Sequence, residues 1–322
     1  MKSGGRLLAL FITLFAAPSP ALAQAYPAKA IRMIIAFSPG GPTDIVARIV
    51  ANKLTEQLGQ QVLVDNRPGA GGNIAAELAA KAAPDGYTIF YNTSAIVIGP
   101  ALYAKVNYDT AKDFVPVALT ATVPLLLMVH PSVPVKTAQE LVELAKAKPG
   151  TLNYSSSGTG TITHLASALL AQRTGMTVQH VPYKGSAPAL VDLAGGQVQF
   201  MIDTINTGLP YVRDGRLRAL AVATIKRSSV LPDLQTLDET LLPGFEMSAW
   251  QGVVVPTGTP AAVVERLNAE LNKAMASPDV RARLAVQGTE PLGGTPAQYA
   301  AYIQSESVKW SQVIKAAGVK AE

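Results

Sequence analysis

The sequence predicts an α/β chain of two doubly wound domains joined by a two-strand hinge. Strand-like apolar runs alternate with amphipathic helical runs along most of the chain, the pattern of sheets covered by helices. Two strands end in loops of small residues that open directly into helices, at 37–44 and 156–161. The alternation gives way to apolar strands near Thr120 and Ala249, where the chain crosses between the halves. A length of 322 residues suits two domains.

The first element is a leader. Lys2 and Arg6 precede an apolar core at 7–17, and Ala21-Leu22-Ala23 forms a small-x-small cleavage site, so residues 1–23 read as a signal peptide cut after Ala23. Its core is too short for a permanent span, and no later apolar run reaches the about twenty residues a membrane helix needs. A soluble periplasmic protein is expected, without a lipid anchor, since position 24 is Gln rather than Cys. The net charge is +5; removal of Lys2 and Arg6 takes away two, leaving +3. With 6% aromatics and no basic run interleaved with them, nucleic acid is excluded as a partner. Zero cysteines exclude disulfides and thiolate catalysis.

The first domain opens with an apolar strand at 31–37 and the loop Phe37-Ser38-Pro39-Gly40-Gly41-Pro42-Thr43-Asp44. Ile45, Val46, Ile49, Val50, Leu54 and Leu58 then recur at helical spacing. A glycine loop at the positive end of a helix offers unpaired N–H groups to an anion. A strand at 61–65, the loop Asn66-Arg67-Pro68-Gly69-Ala70-Gly71-Gly72-Asn73, a helix at 74–83 and a strand at 87–92 follow, ending at Thr93-Ser94. The three loops fall at the carboxyl ends of parallel strands, where open sheets bind ligands.

The second domain repeats the plan. A strand at 119–129 and a helix at 137–147 lead to the strand Leu152-Asn153-Tyr154-Ser155, the loop Ser156-Ser157-Gly158-Thr159-Gly160-Thr161 and a helix at 162–173. Strands at 178–181, 198–202 (ending in Asp203) and 217–223 alternate with helices at 187–193 and 205–213. A strand at 250–255 and helices at 261–276, 278–287 and 295–317 complete the chain. Helices alone cannot supply a third sheet, so these three are expected to pack on the first domain. The domains are therefore 24–122 with 249–322, and an inserted 123–248, hinged so that closure buries a ligand.

These motifs, in this order, resemble those of the periplasmic substrate-binding proteins of tripartite tricarboxylate transporters, a family of Bordetella-like bacteria. The resemblance rests on the two loops beginning at Phe37 and Asn66, on Pro84-Asp85-Gly86-Tyr87-Thr88, on Leu152-Asn153-Tyr154-Ser155 with Ser157-Gly158, and on His180-Val181-Pro182-Tyr183-Lys184-Gly185. It implies a type II Venus-flytrap fold that captures a small carboxylate between its domains and hands it to a membrane permease, working as a monomer. It also implies contacts at Ser38, Gly40, Gly41, Thr43, Asn73 and Thr93 in the first domain, and at Ser157, Gly158, Thr161, His164 and Asp203 in the second. Ser38 and Pro42 depart from many relatives, so substrate identity does not carry over.

Each residue also has a plainer reading. Asp44 complements the dipole of its own helix. His164, one turn into a helix, is expected neutral, donating to a ligand or capping the loop. Asp203 pairs with a ligand amine or hydroxyl, or orients Thr204 and backbone groups. His130 and His180 read as structural and Lys184 as a surface or hinge residue. The three histidines lack metal-ligand spacing, and no cofactor is expected. No G-x-S-x-G elbow, Walker A loop or complete G-x-G-x-x-G is present. A binding protein is expected rather than an enzyme, with a periplasmic sensor subunit or a secreted hydrolase as alternatives.

Overall fold

The computed structural model describes residues 26–319, so the leader expected at 1–23 lies outside the described residues. The elements run β1 (Ile31–Ile35), α1 (Pro42–Leu58), β2 (Val62–Asn66), a 3-10 turn (Ala70–Gly72), α2 (Asn73–Ala80), β3 (Thr88–Thr93), α3 (Ala95–Leu102) and β4 (Phe114–Val129). Then come α4 (Ala138–Ala147), β5 (Asn153–Ser156), α5 (Ile162–Thr174), β6 (Gln179–Pro182), α6 (Ser186–Ala194), β7 (Phe200–Thr204), α7 (Ile205–Arg213), β8 (Arg218–Val222) and α8 (Leu237–Thr240). The chain closes with β9 (Ser248–Pro256), α9 (Ala261–Ala276), α10 (Pro278–Ala285), β10 (Glu290–Pro291) and α11 (Pro296–Ala317).

The strands lie in the order β2-β1-β3-β9-β4-β7-β5-β6, with β8 and β10 also on β4. The sheet is mixed, where strand–helix alternation predicts a parallel one. β1 is parallel to β2 and β3, and β5 to β6 and β7, but β4 and β9 are antiparallel to all their partners. The reason is β4 itself. Its first part pairs with β9 from Phe114 to Pro124, and its last five residues, Leu125 to Val129, pair with β7. Just before β9, the Met247 amide bonds the Ala223 carbonyl at 2.7 Å, so a second strand makes the same crossing. β4 and β9 thus carry the chain between two lobes.

Local sequence explains how the helices begin. Pro42 stands in the first turn of α1, where no amide hydrogen is needed, and Gly59 ends it in the left-handed conformation. Thr295 and Gln298 cap α11 reciprocally. α1 and α9 cover one face of the first lobe around Ile31, Met33, Leu54 and Leu267, all fully buried. The other main core runs through both lobes and includes Trp250, Trp310 and Phe200. The apolar run Ala95–Leu102 hid a helix, α3, which the sequence reading left unassigned.

The last helix corrects an expectation. α9 and α10 stay on the first lobe, but α11 touches α3 and β4 and also reaches α5 of the second lobe. Its 22 residues give a rod of roughly 33 Å, long enough to cross the junction.

Candidate functional site

Five helices begin at one small cavity. Its wall contains Thr43 of α1, Ala95 of α3, Ile162 and Thr163 of α5, Ser186 of α6 and Thr204, the residue before α7. The first amides of each helix have no carbonyl of their own helix to bond, and the dipoles place partial positive charge there. Phe37, Pro42, Thr93, Ser94, Ser157, Thr161, Ala249 and Gln251 complete the lining, with no ionisable side chain. The volume is about 30 Å³, room for no more than a water or two in this closed arrangement. Helix ends and hydroxyls without a cation favour an anion whose charge is spread over oxygens.

The hydroxyls are pre-set by one another. Thr163 Oγ1 accepts from the Ser157 amide at 2.9 Å and bonds Ser157 Oγ at 2.9 Å and Thr161 Oγ1 at 3.0 Å. Thr161 Oγ1 also donates to the Gly158 carbonyl at 2.7 Å. Gly158 holds φ +137, and a side chain there would press on the Tyr183 carbonyl. Only glycine suits that corner.

The cavity shares Phe37 and Ser157 with a wider cleft of about 700 Å³. Glycines 69, 71 and 72 line it from the first lobe; Gly158, Thr159, His164, His180, Tyr154 and Tyr183 line it from the second. His164 and His180 stack with centroids 3.8 Å apart and planes 5° from parallel, and Tyr154 stacks on His180 at 4.9 Å. Burial pulls the His164 pKa down to about 4 and, with the neighbouring His164, that of His180 to about 3. Both rings are therefore neutral near pH 7. Gly160 donates its amide to His164 Nδ1 at 3.1 Å, which places the ring proton on Nε2. Lys184 is the one lysine or arginine on this lining.

Contacts between the lobes close the cleft. Tyr103 of the first lobe donates to the Thr159 carbonyl at 2.9 Å, and Asn206 Nδ2 donates to the Pro42 carbonyl at 3.4 Å. Val319, just past α11, and Ala168 of α5 also line the cleft.

Of the residues singled out from sequence, Thr43, Thr93, Ser157 and Thr161 meet at the small cavity, and Gly158 and His164 line the wide cleft with Ser157. Five others do not line either space. The Gly40 amide donates to Asp44 Oδ2 at 3.0 Å and the Gly41 amide to the Ser38 carbonyl at 3.3 Å, so both glycine amides are taken within the loop. Ser38 packs at Gly185 of the other lobe, its hydroxyl buried without a partner. Asn73 accepts from the Tyr108 hydroxyl at 2.9 Å, tying α2 inward. Asp203 is fully buried behind the cavity wall; Ser186 Oγ donates to it at 2.8 Å and Thr207 Oγ1 at 2.9 Å. Of its two sequence readings, the one that orients neighbouring groups fits this position.

Asp44 likewise serves its own lobe. Burial raises its pKa, but bonds from Arg48, the Gly40 amide and Asn66 outweigh that and hold it below the usual range. Sequence reading missed His180, whose strand brings it onto His164. It also missed Ser186 and Thr204, which carry only the faint signal of a hydroxyl residue at a helix start.

Fold and site together define a two-lobed solute-binding protein of the periplasmic type, with its cleft between the lobes. Residues 46–319 match the model of the tripartite tricarboxylate transporter family receptor, and the chain belongs to that family. It is 38% identical over 320 residues to protein BugT of Bordetella pertussis, covering 98% of each chain. The structure of R. palustris Rpa4515 with adipate matches with TM-score 0.90 and 39% identity, over 92% of this chain and 99% of that one. That of MatC (Rpa3494) from Rhodopseudomonas palustris with bound malate matches with TM-score 0.86 and 35% identity, over 90% and 100%.

Proposed function

We propose that this chain captures a small carboxylate between its lobes in the periplasm and delivers it, as a monomer in its closed form, to the membrane subunits of a tripartite transporter. The observation that carries the reading is the convergence of five helix N-termini on a cavity walled by hydroxyls and free of ionisable side chains. One ligand carboxylate would sit there, and the rest of the molecule would lie in the wider cleft along the Tyr154–His180–His164 stack. The relatives described with adipate and with malate support a carboxylate. We take residues 123–248 as the inserted, moving domain, residues 24–122 with 249–322 as the other, and residues 1–23 as the export leader.

The chemistry of the site supports binding rather than catalysis. Ser156 Oγ lies 2.6 Å from His180 Nε2, but Ser156 is fully buried and bonds Gly158 as well. A ring whose pKa is about 3 is a weak base at neutral pH.

The test is a thermal-shift screen of protein refolded free of ligand against di-, tri- and aromatic carboxylates. A ligand at a hundred times its dissociation constant adds about 2.7 kcal/mol. A clear shift with one class of acid is expected. Shifts with neutral sugars or metal ions alone would overturn the reading.

A further inference from the structure

We propose that Asp203 acts through Ser186 as a proton-coupled switch on the small cavity, so that capture of an anion takes up a proton. This rests on the carboxylate reading above and adds a coupling to it. Asp203 is a positioning residue here, touching the cavity only through its neighbours.

The geometry sets up the relay. Ser186 and Thr204 both line the cavity, and both are bonded to Asp203, Ser186 through its hydroxyl at 2.8 Å and Thr204 through its amide. While Asp203 is ionised, the Ser186 hydroxyl hydrogen points backward to Oδ1. The face it turns to the cavity is then an acceptor, which an anion repels, and the buried negative charge behind the wall opposes the anion as well. When Asp203 takes a proton from solvent, Asp203 donates to Ser186 Oγ and the Ser186 hydroxyl is freed to donate forward. The one covalent change is the O–H bond formed on the Asp203 carboxyl, its proton given up by a solvent or buffer acid; otherwise only these hydrogen bonds rearrange. The anion therefore prefers the protonated form, and by linkage its binding draws the proton in.

Among the described residues, nothing packed around Asp203 offers a competing charge. β4 brings no ionisable side chain to β7, β5 brings Tyr154, and α6 brings Asp192, which accepts from the Tyr183 hydroxyl. α5 brings His164, neutral above about pH 4, and α5 and α7 carry Arg173 and Arg213 in their last turns, away from the helix starts; α7 also carries Tyr211. Across the cavity Asp44 is paired with Arg48. Burial pushes the Asp203 carboxyl up to about 6, against the pull of its hydrogen bonds, so the switch works close to neutral pH.

The experiment is calorimetry with adipate and with malate between pH 6 and 8, in buffers of different ionisation enthalpy. With either acid, uptake of up to one proton per ligand is expected, with affinity falling up to tenfold per pH unit as pH rises. Asp203→Asn should abolish both the uptake and the pH dependence. Ser186→Ala keeps the carboxyl, cuts the relay and should lose most of the uptake. Binding without proton uptake in the unaltered protein, or full uptake retained in Ser186→Ala, would overturn the switch and leave carboxylate capture standing. If a full carboxylate panel fails to bind at every pH, both fall.

Discussion

Gly71 shows how one missing side chain can serve closure. Its φ is +61, and a Cβ there would lie 2.7 Å from the Thr159 carbonyl of the opposite lobe. The penalty has two main parts, a left-handed backbone cost of about 1–2 kcal/mol and the clash with Thr159, which exists only when the lobes meet; within its own lobe the Cβ would also sit 3.1 Å from the Tyr103 hydroxyl, whose side chain can give way. Gly71→Ala should therefore lower ligand affinity by on the order of tenfold or more, while the ligand-free melting temperature drops by only the few degrees the backbone term implies. Calorimetry beside thermal melts checks it. The stacked histidines give a second expectation. Their folded pKa values, about 4 and 3, lie below the ordinary value near 6.5, so the unfolded chain binds protons first as pH falls. Their neutral packing stabilises fully above about pH 6.5 and is lost progressively from there toward pH 3. Asp203, raised to about 6, acts in the opposite sense over roughly pH 6 to 4 and offsets part of the loss. Denaturant midpoints should decline with acidification, and less steeply in His180→Phe.

At the scale of elements, α11 is the strap of the molecule. Its Glu306 is buried and accepts from the indole nitrogens of Trp250 on β9, at 2.7 Å, and Trp310, at 2.8 Å, with Lys309 at 3.3 Å. Glu306→Ala strands two buried donors and should cost about 2–4 kcal/mol, measurable as a lower denaturant midpoint with Trp fluorescence as the probe. Much at this scale was legible in the sequence. Strand, loop of small residues and helix start were readable at Thr43 and again at Ser157 and Thr161, because each is local. What stayed hidden came from distant or returning contacts. The glycine loop reads as a row of free amides, yet Asp44 folds back onto Gly40 from within its helix. Two of the cavity's helices, α6 and α7, start without a glycine-rich signature, and His180 reaches His164 only when β5 and β6 pair. α11 looked like a cover for one lobe, since its length, not its pattern, carries it to the other.

For the whole molecule, the arrangement of β4 and β9 leaves two strands to accommodate any change of angle between the lobes. Among the polar contacts across the cleft are Tyr103 on Thr159 and Asn206 on Pro42. Such contacts are each worth about 1 kcal/mol net, so a ligand bonded to both lobes would add substantially to closure. Small-angle scattering should show a larger radius of gyration for ligand-free protein, shrinking on addition of a bound carboxylate. An unchanged radius would mean that the lobes stay shut without a ligand.

The course of α11 has a practical side. Residue 319 lines the wide cleft, whereas Tyr26 rests against Tyr87, at the opposite end of the first-lobe strands. A fluorophore attached through a cysteine at 319, in a chain that has no native thiol, would sit on the lining of the wide cleft, outside the small inner cavity. The same dye placed near Tyr26 would be blind to the ligand. The pair makes a reporter and its own control, and turns the protein into a reagentless optical sensor for whichever acid it holds.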